Sequence, residues 1–149
     1  MSGISNHFDS MAAIQTIITG LSLTGLTGGV VIQEVANYQD KKVTLPVVSI
    51  SPYGPEVISD QNNYQDGVDY PILVAIIGNK DITALEQRLA WRQKMRRNLY
   101  NRNLSSVVNS YSYSLSLKPG NVIEPKAWFD KDAFISGFIV MAQFQEPRT

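Results

Sequence analysis

Phe8, Met11, Ile14, Ile18 and Leu21 recur at spacings of three and four, so the chain is predicted to open with an amphipathic helix. Ser5 or Asn6 stands where an N-cap belongs, and Gly20 where a left-handed residue would end the helix. Val30 to Val35 is predicted as a short strand and Tyr38 to Lys42 as a turn. Val43 to Ser51 reads as a strand, with Pro46 confining part of it to an edge or a bulge. Pro52 to Asp69 has few apolar residues and no period, which predicts a long functional or mobile loop. The run YPILVAII from Tyr70 to Ile77 is continuously apolar at strand length, so a central strand buried on both faces is expected.

A second helix follows. Thr83 and Glu86 have the spacing of a capping box, and no Gly or Pro interrupts ALEQRLAWRQKMRRNLY. Ile82, Leu85, Leu89, Trp91, Met95 and Leu99 fall within about half the helical circumference, the arc expected to dock on the sheet. Arg88, Arg92 and Arg96 share that arc, and guanidinium groups are not buried without partners. Val107 to Leu117 alternates, with Tyr111, Tyr113, Leu115 and Leu117 on one face and serines on the other, as in a half-exposed strand. Lys118 to Gly120 turns the chain and EPKAWFDKD reads as an irregular excursion. Ala133 to Phe144 is the second continuous apolar strand, with QEPRT directly after it. No repeat or linker divides residues 1–149, so a single domain is expected.

Composition removes most chemistry. The chain has no cysteine and one histidine, which excludes disulfides, thiolate metal sites and Cys nucleophiles, and leaves little for imidazole ligation. His7 has no recognisable nucleophile motif to serve, so a surface or capping role is the expectation. Asp66 with Asp69, and Asp130 with Asp132, lie in turn-like polar stretches without the calcium-loop pattern, and read as solvated acids. GLSLTGLTGG has no Lys after its glycines and fails as a phosphate loop. The longest apolar runs, Ile72 to Ile77 and Phe138 to Ala142, fall far short of the ~20 residues that span a bilayer, and MSGISNHFDS has no signal-peptide pattern. A soluble protein without a targeting segment, cofactor, metal site or catalytic residue is therefore expected.

Charge changes the picture more than composition does. Net charge is zero, yet residues 1–75 hold two Lys against seven acids and residues 76–149 hold eleven Lys or Arg against six, a balance of −5 followed by +5. The acids concentrate in the 52–69 loop as Glu56, Asp60, Asp66 and Asp69. The cations concentrate from Arg88 to Arg102, with Arg92, Arg96 and Arg97 the expected donors to the acidic loop, either of a neighbouring subunit or of their own. A helix this rich in Arg could also lie on phosphates, but three of its cations share the core-facing arc, which favours pairing over DNA contact.

The order of elements completes the reading. A leading amphipathic helix, an LPVVSISP strand, a D-x-x-D-YP-I-x-V strand after a long loop, the ALEQRLAWRQKMRRNL helix and a closing apolar strand ending in F-Q-E-P-R resemble a bacteriophage tail terminator or tail-completion protein, from about Phe8 to Arg148. The resemblance implies an α+β fold, two helices packed on a mostly antiparallel four- to five-stranded sheet. It implies a homo-oligomeric ring, commonly a hexamer, that caps the tail tube, ends its polymerisation and meets the head–tail connector or neck protein. The expected place is the tail or neck of the virion, assembled in the bacterial host cytoplasm. Neither a membrane nor sequence-specific nucleic acid is an expected partner. Other neck or connector proteins share this outline, and a nucleic-acid-binding module on helix 88–102 is the alternative from a different class.

Overall fold

The computed structural model describes residues 5–36, 44–60, 65–79, 84–100, 102 and 112–147. In chain order the elements are α1 (Asn6–Thr19), β1 (Val30–Ile32), β2 (Val47–Pro52), β3 (Val57–Asp60), β4 (Gln65–Asn79), α2 (Leu85–Leu99), β5 (Ser112–Lys118), α3 (Pro125–Lys131) and β6 (Ala133–Pro147). The fold is α+β, with three helices and one six-stranded mixed sheet among the described residues. The strand order is β1-β2-β4-β6-β5; β1 and β2 run parallel and every other pair is antiparallel.

The spine of the sheet is β4 against β6, in unbroken register from Gln65↔Pro147 to Asn79↔Ala133. At strand rise, fifteen residues extend about 50 Å, well beyond the width of the core. The outer edge of β4 carries β2 and then β3: Tyr53 N–H donates to Pro71 O at 3.1 Å between them, so the two are halves of one edge strand interrupted around Gly54. Strand alternation then sorts the side chains. Val48, Ile50, Ile72, Val74, Ile76, Phe134, Phe138 and Val140 join Ile14, Ile18, Trp91, Met95 and Leu99 of the helices in one core. Val47, Ala75 and Ile77 point the opposite way, into a smaller cluster with Val31, Leu45, Leu73 and Ile135.

Several expectations are corrected here. The segment 52–69 is a β-hairpin in its described parts, because β4 and β6 continue their ladder five residues past Tyr70 and β3 pairs with that extension from Val57↔Asp69 to Asp60↔Asp66. Its polar composition hid the strands, since backbone pairing at an exposed sheet end needs no apolar period. EPKAWFDKD contains α3, entered through Pro125 at the start of the helix and closed by Asp132 at φ 52°; one short helix leaves too few turns to show a period. The sheet thus has one strand more, and the helical layer one helix more, than expected. Helix α1 is capped as expected by Ser5, whose Oγ accepts from Phe8 N–H at 3.2 Å, but Gly20 is right-handed and the positive φ falls on Ser22. Ala84 is the N-cap of α2 and makes no side-chain bond there; Thr83, on which the capping-box expectation rests, and Ile82 lie outside the described residues.

The arc of α2 is also corrected. Its buried stripe is Arg88, Trp91, Met95 and Leu99, whereas Leu85 and Leu89 are 51% and 42% exposed. A sheet meets a helix along a narrower band than the half-circumference that the leucines suggested, and that band is centred near Trp91 and Met95. In β5, Leu115 is buried and Leu117 packs on the core. Two residues, Ser112 and Ser114, face the consecutive Phe144 and Gln143, so a bulge at Tyr113 breaks the strict alternation. The tyrosine and serine side chains at 110–114, the strand expected at 107–111 and the turn at 38–42 lie outside the described residues.

Candidate functional site

The basic helix divides into two populations. Arg88 is 7% exposed, and its guanidinium lies 4.4 Å from the ring centre of Phe134 and 5.4 Å from that of Trp128. Cation–π attraction is strongest where water is excluded, so Arg88 fastens α2 to both β6 and α3. Arg92 is half-buried: Nη1 donates to Gly137 O at 2.7 Å and to Ser136 Oγ at 3.1 Å, and Nη2 donates to Gly120 O at 3.2 Å. Its guanidinium also lies 5.5 Å from the Phe138 ring, and burial together with the charge of Arg96 pulls its pKa down. Gly120 has to be glycine here, because a Cβ would run into the Gly137 carbonyl that Arg92 also binds. Acids were the expected partners; for Arg92, backbone carbonyls, a serine hydroxyl and an aromatic face do the work instead, since a carbonyl satisfies a buried N–H without bringing a second desolvated charge. Arg96 and Arg97 are exposed.

The acidic residues sit elsewhere. Glu56 is exposed before β3, Asp66 and Asp69 are half-buried on β4, and the Asp60 side chain lies outside what the structure describes. Alternation along β4 places Asp66 on the helix-bearing face, with Tyr70 and Ile72, and Asp69 on the opposite face with Leu73. Asp66 is opposite Glu146 on β6, nine positions along that strand from Gly137, where Arg92 is anchored. That is about 30 Å. Arg92 is thus far from the acidic hairpin, but the basic segment runs towards it: Arg102 O accepts from Leu115 N–H at 3.0 Å, and Leu115 pairs with Ala142, four positions from Glu146.

Sequence reasoning missed a polar clamp at the acidic end. Tyr70 Oη donates to Glu146 Oε2 at 2.7 Å, with Oε1 at 2.9 Å, and Asn6 Nδ2 donates to the same carboxylate. The His7 ring is 5.0 Å from the Tyr70 ring, and Tyr70 meets Phe144 edge-on at 5.6 Å. His7 Nε2 is 3.0 Å from Pro71 O, and because a carbonyl only accepts, that nitrogen carries a proton. Burial, the Glu146 hydrogen bond and the Glu146 and Glu56 charges push the Tyr70 pKa far above the usual phenol. The clamp ties the first turn of α1 to the long strands; His7, expected at the surface or as a cap, instead bridges α1 to β4, and the cap is Ser5. The signal was present in the YP and QEP pairs, but only the register of β4 on β6 joins residues 76 positions apart.

Among the described residues no group of three or more His, Cys, Asp or Glu could hold a metal ion, and no helix is long and apolar enough to cross a membrane. What remains exposed suits contact. Tyr53, Leu73, Ile135 and Ile139 line an open groove with about 480 Å³ of empty space on the face away from the helices, edged by Asn121 and Glu124. Compared with known proteins, the chain matches no family model and no curated relative.

Proposed function

We propose that this chain is a structural subunit that associates head to tail into a closed ring, and that the ring is the tail-terminator or neck component of a bacteriophage virion. The observation that carries the association is that Asp69 lies on the sheet face opposite the one that carries α2 with its exposed Arg96 and Arg97. Unlike patches that cannot meet within one subunit attract between subunits and disfavour face-to-face dimers; contacts between two different surfaces close into rings or extend as filaments. The phage assignment rests on the resemblance of the strand–helix order and of the YP and QEP segments. In that role the ring caps the tail tube, stops its growth and offers its other side to the head connector.

Nucleic-acid binding on α2 is the weaker reading. Two of its arginines, Arg88 and Arg92, are taken up by aromatic rings and carbonyls and have little left to offer phosphates. The test is particle mass of the full chain alone and mixed with purified phage tail tubes. A defined oligomer that binds tube ends is expected; a monomer that binds DNA with steep salt dependence would replace this reading with the second.

A further inference from the structure

Helix α2 has two apolar stripes, and its own subunit uses only one. Arg88, Trp91, Met95 and Leu99 face inward, while Leu85, Leu89 and Tyr100 are 51%, 42% and 62% exposed. At 100° per residue, Leu85, Leu89, Arg96 and Tyr100 fall within about 60° of one another, so the outer stripe is apolar at its start and carries a cation towards its end. On the other side of the sheet is the groove of Tyr53, Leu73, Ile135 and Ile139, with Asp69 on the same face of β4 as Leu73. The spacings correspond. Leu89 and Arg96 are about 10 Å apart along a helix, and Leu73 and Asp69 about 13 Å apart along a strand, a difference that an arginine side chain spans.

We propose that the outer stripe of α2 docks on the open sheet face of a second copy of this chain, with Leu85 and Leu89 seated against Leu73, Ile135 and Ile139, and Arg96 reaching Asp69. The choice of a second copy rests on charge and topology together. The basic stripe and the groove with its neighbouring acid lie on opposite faces of the sheet, so one subunit cannot satisfy itself. Each docking leaves one free stripe and one free groove, the condition for a ring. The inference builds on the head-to-tail reading above and specifies which surfaces carry it: apolar seating supplies the hold and the Arg96–Asp69 pair sets the register.

The absence of cysteine makes the test direct. Leu89→Cys and Tyr53→Cys are made in separate full-length chains, both at exposed positions, and the two proteins are mixed in equal amounts under mild oxidation. A covalent heterodimer is expected from the mixture and little product from either chain alone. In parallel, sedimentation velocity follows Asp69→Lys, which is expected to weaken association at least tenfold, and the Asp69→Lys, Arg96→Glu double variant, which is expected to recover most of it. A wild-type oligomer that forms without the cross-link overturns these surfaces and leaves the ring standing; the groove then belongs to another occupant. Prompt Leu89→Cys self-dimers would mean helix-to-helix contact, and a wild-type chain that stays monomeric overturns both the surfaces and the ring.

Discussion

Arg92 shows what a single side chain contributes when its partners are carbonyls. It joins α2 to the Gly120–Asn121 loop and to β6 at Gly137, so removing it strands several acceptors at a half-buried site. Arg92→Ala is expected to cost about 2–3 kcal/mol in urea unfolding, and Arg92→Lys to recover only part, because an ammonium cannot reproduce the planar fork. Tyr70 supplies a pH signature. Its folded pKa lies above the ordinary 10.0, so the phenol in the unfolded chain ionises first; stability is intact below pH 10 and falls as pH rises beyond it. Tyr70→Phe should be less stable near neutrality, having lost the bond to Glu146, and should show a shallower decline above pH 10 in stability measured against pH.

At the scale of elements, α2 separates buried from exposed leucine-type positions on one helix. Met95 is fully buried, and Met95→Ala is expected to lose about 2–5 kcal/mol by chemical denaturation. The Leu85→Ser, Leu89→Ser pair is expected to change monomer stability by less than about 1 kcal/mol, since both side chains already face water. A large loss in the serine pair would mean that the outer stripe is covered within its own subunit. The strands make the same point from the sequence side. YPILVAII and AFISGFIVMAQF were legible as buried strands because unbroken β-branched and aromatic runs have few other uses. Their extensions through Gln65–Asp69 and Gln145–Pro147, with β3 beside them, were not, because those residues pair through backbone at an exposed end.

For the whole molecule, the acidic hairpin and the basic helix make a prediction about assembly. Reversing the charges of Asp60 and Asp66 is expected to lower the oligomer fraction in sedimentation at low salt, and reversing Arg97 in the same protein, with Arg96 kept for Asp69, to restore part of it. Each exposed pair contributes only about 0–1 kcal/mol, so if the proposed ring forms, raised salt should shift the midpoint of association modestly and leave its apolar contacts in place. An oligomer size indifferent to the acidic reversal at low salt would remove the electrostatic part of the reading.

The sequence by itself determined the elements with strong periods, α1 and the apolar halves of β4 and β6, a cap at Ser5 or Asn6, the lack of cysteine chemistry and the split of charge along the chain. These follow from local spacing and composition, which the chain carries in any conformation. Tertiary structure decided the rest. Which arc of α2 faces inward depends on where Phe134, Trp128 and Gly137 stand, and that turned two leucines outward and drew Arg88 and Arg92 in. The pairing of Tyr70 with Glu146 and the division of Asp66 from Asp69 between two faces both follow from the β4–β6 register. Register is a long-range choice: a shift of one residue would flip every side chain to the other face, and no local pattern along one strand states which residue of the other it will meet.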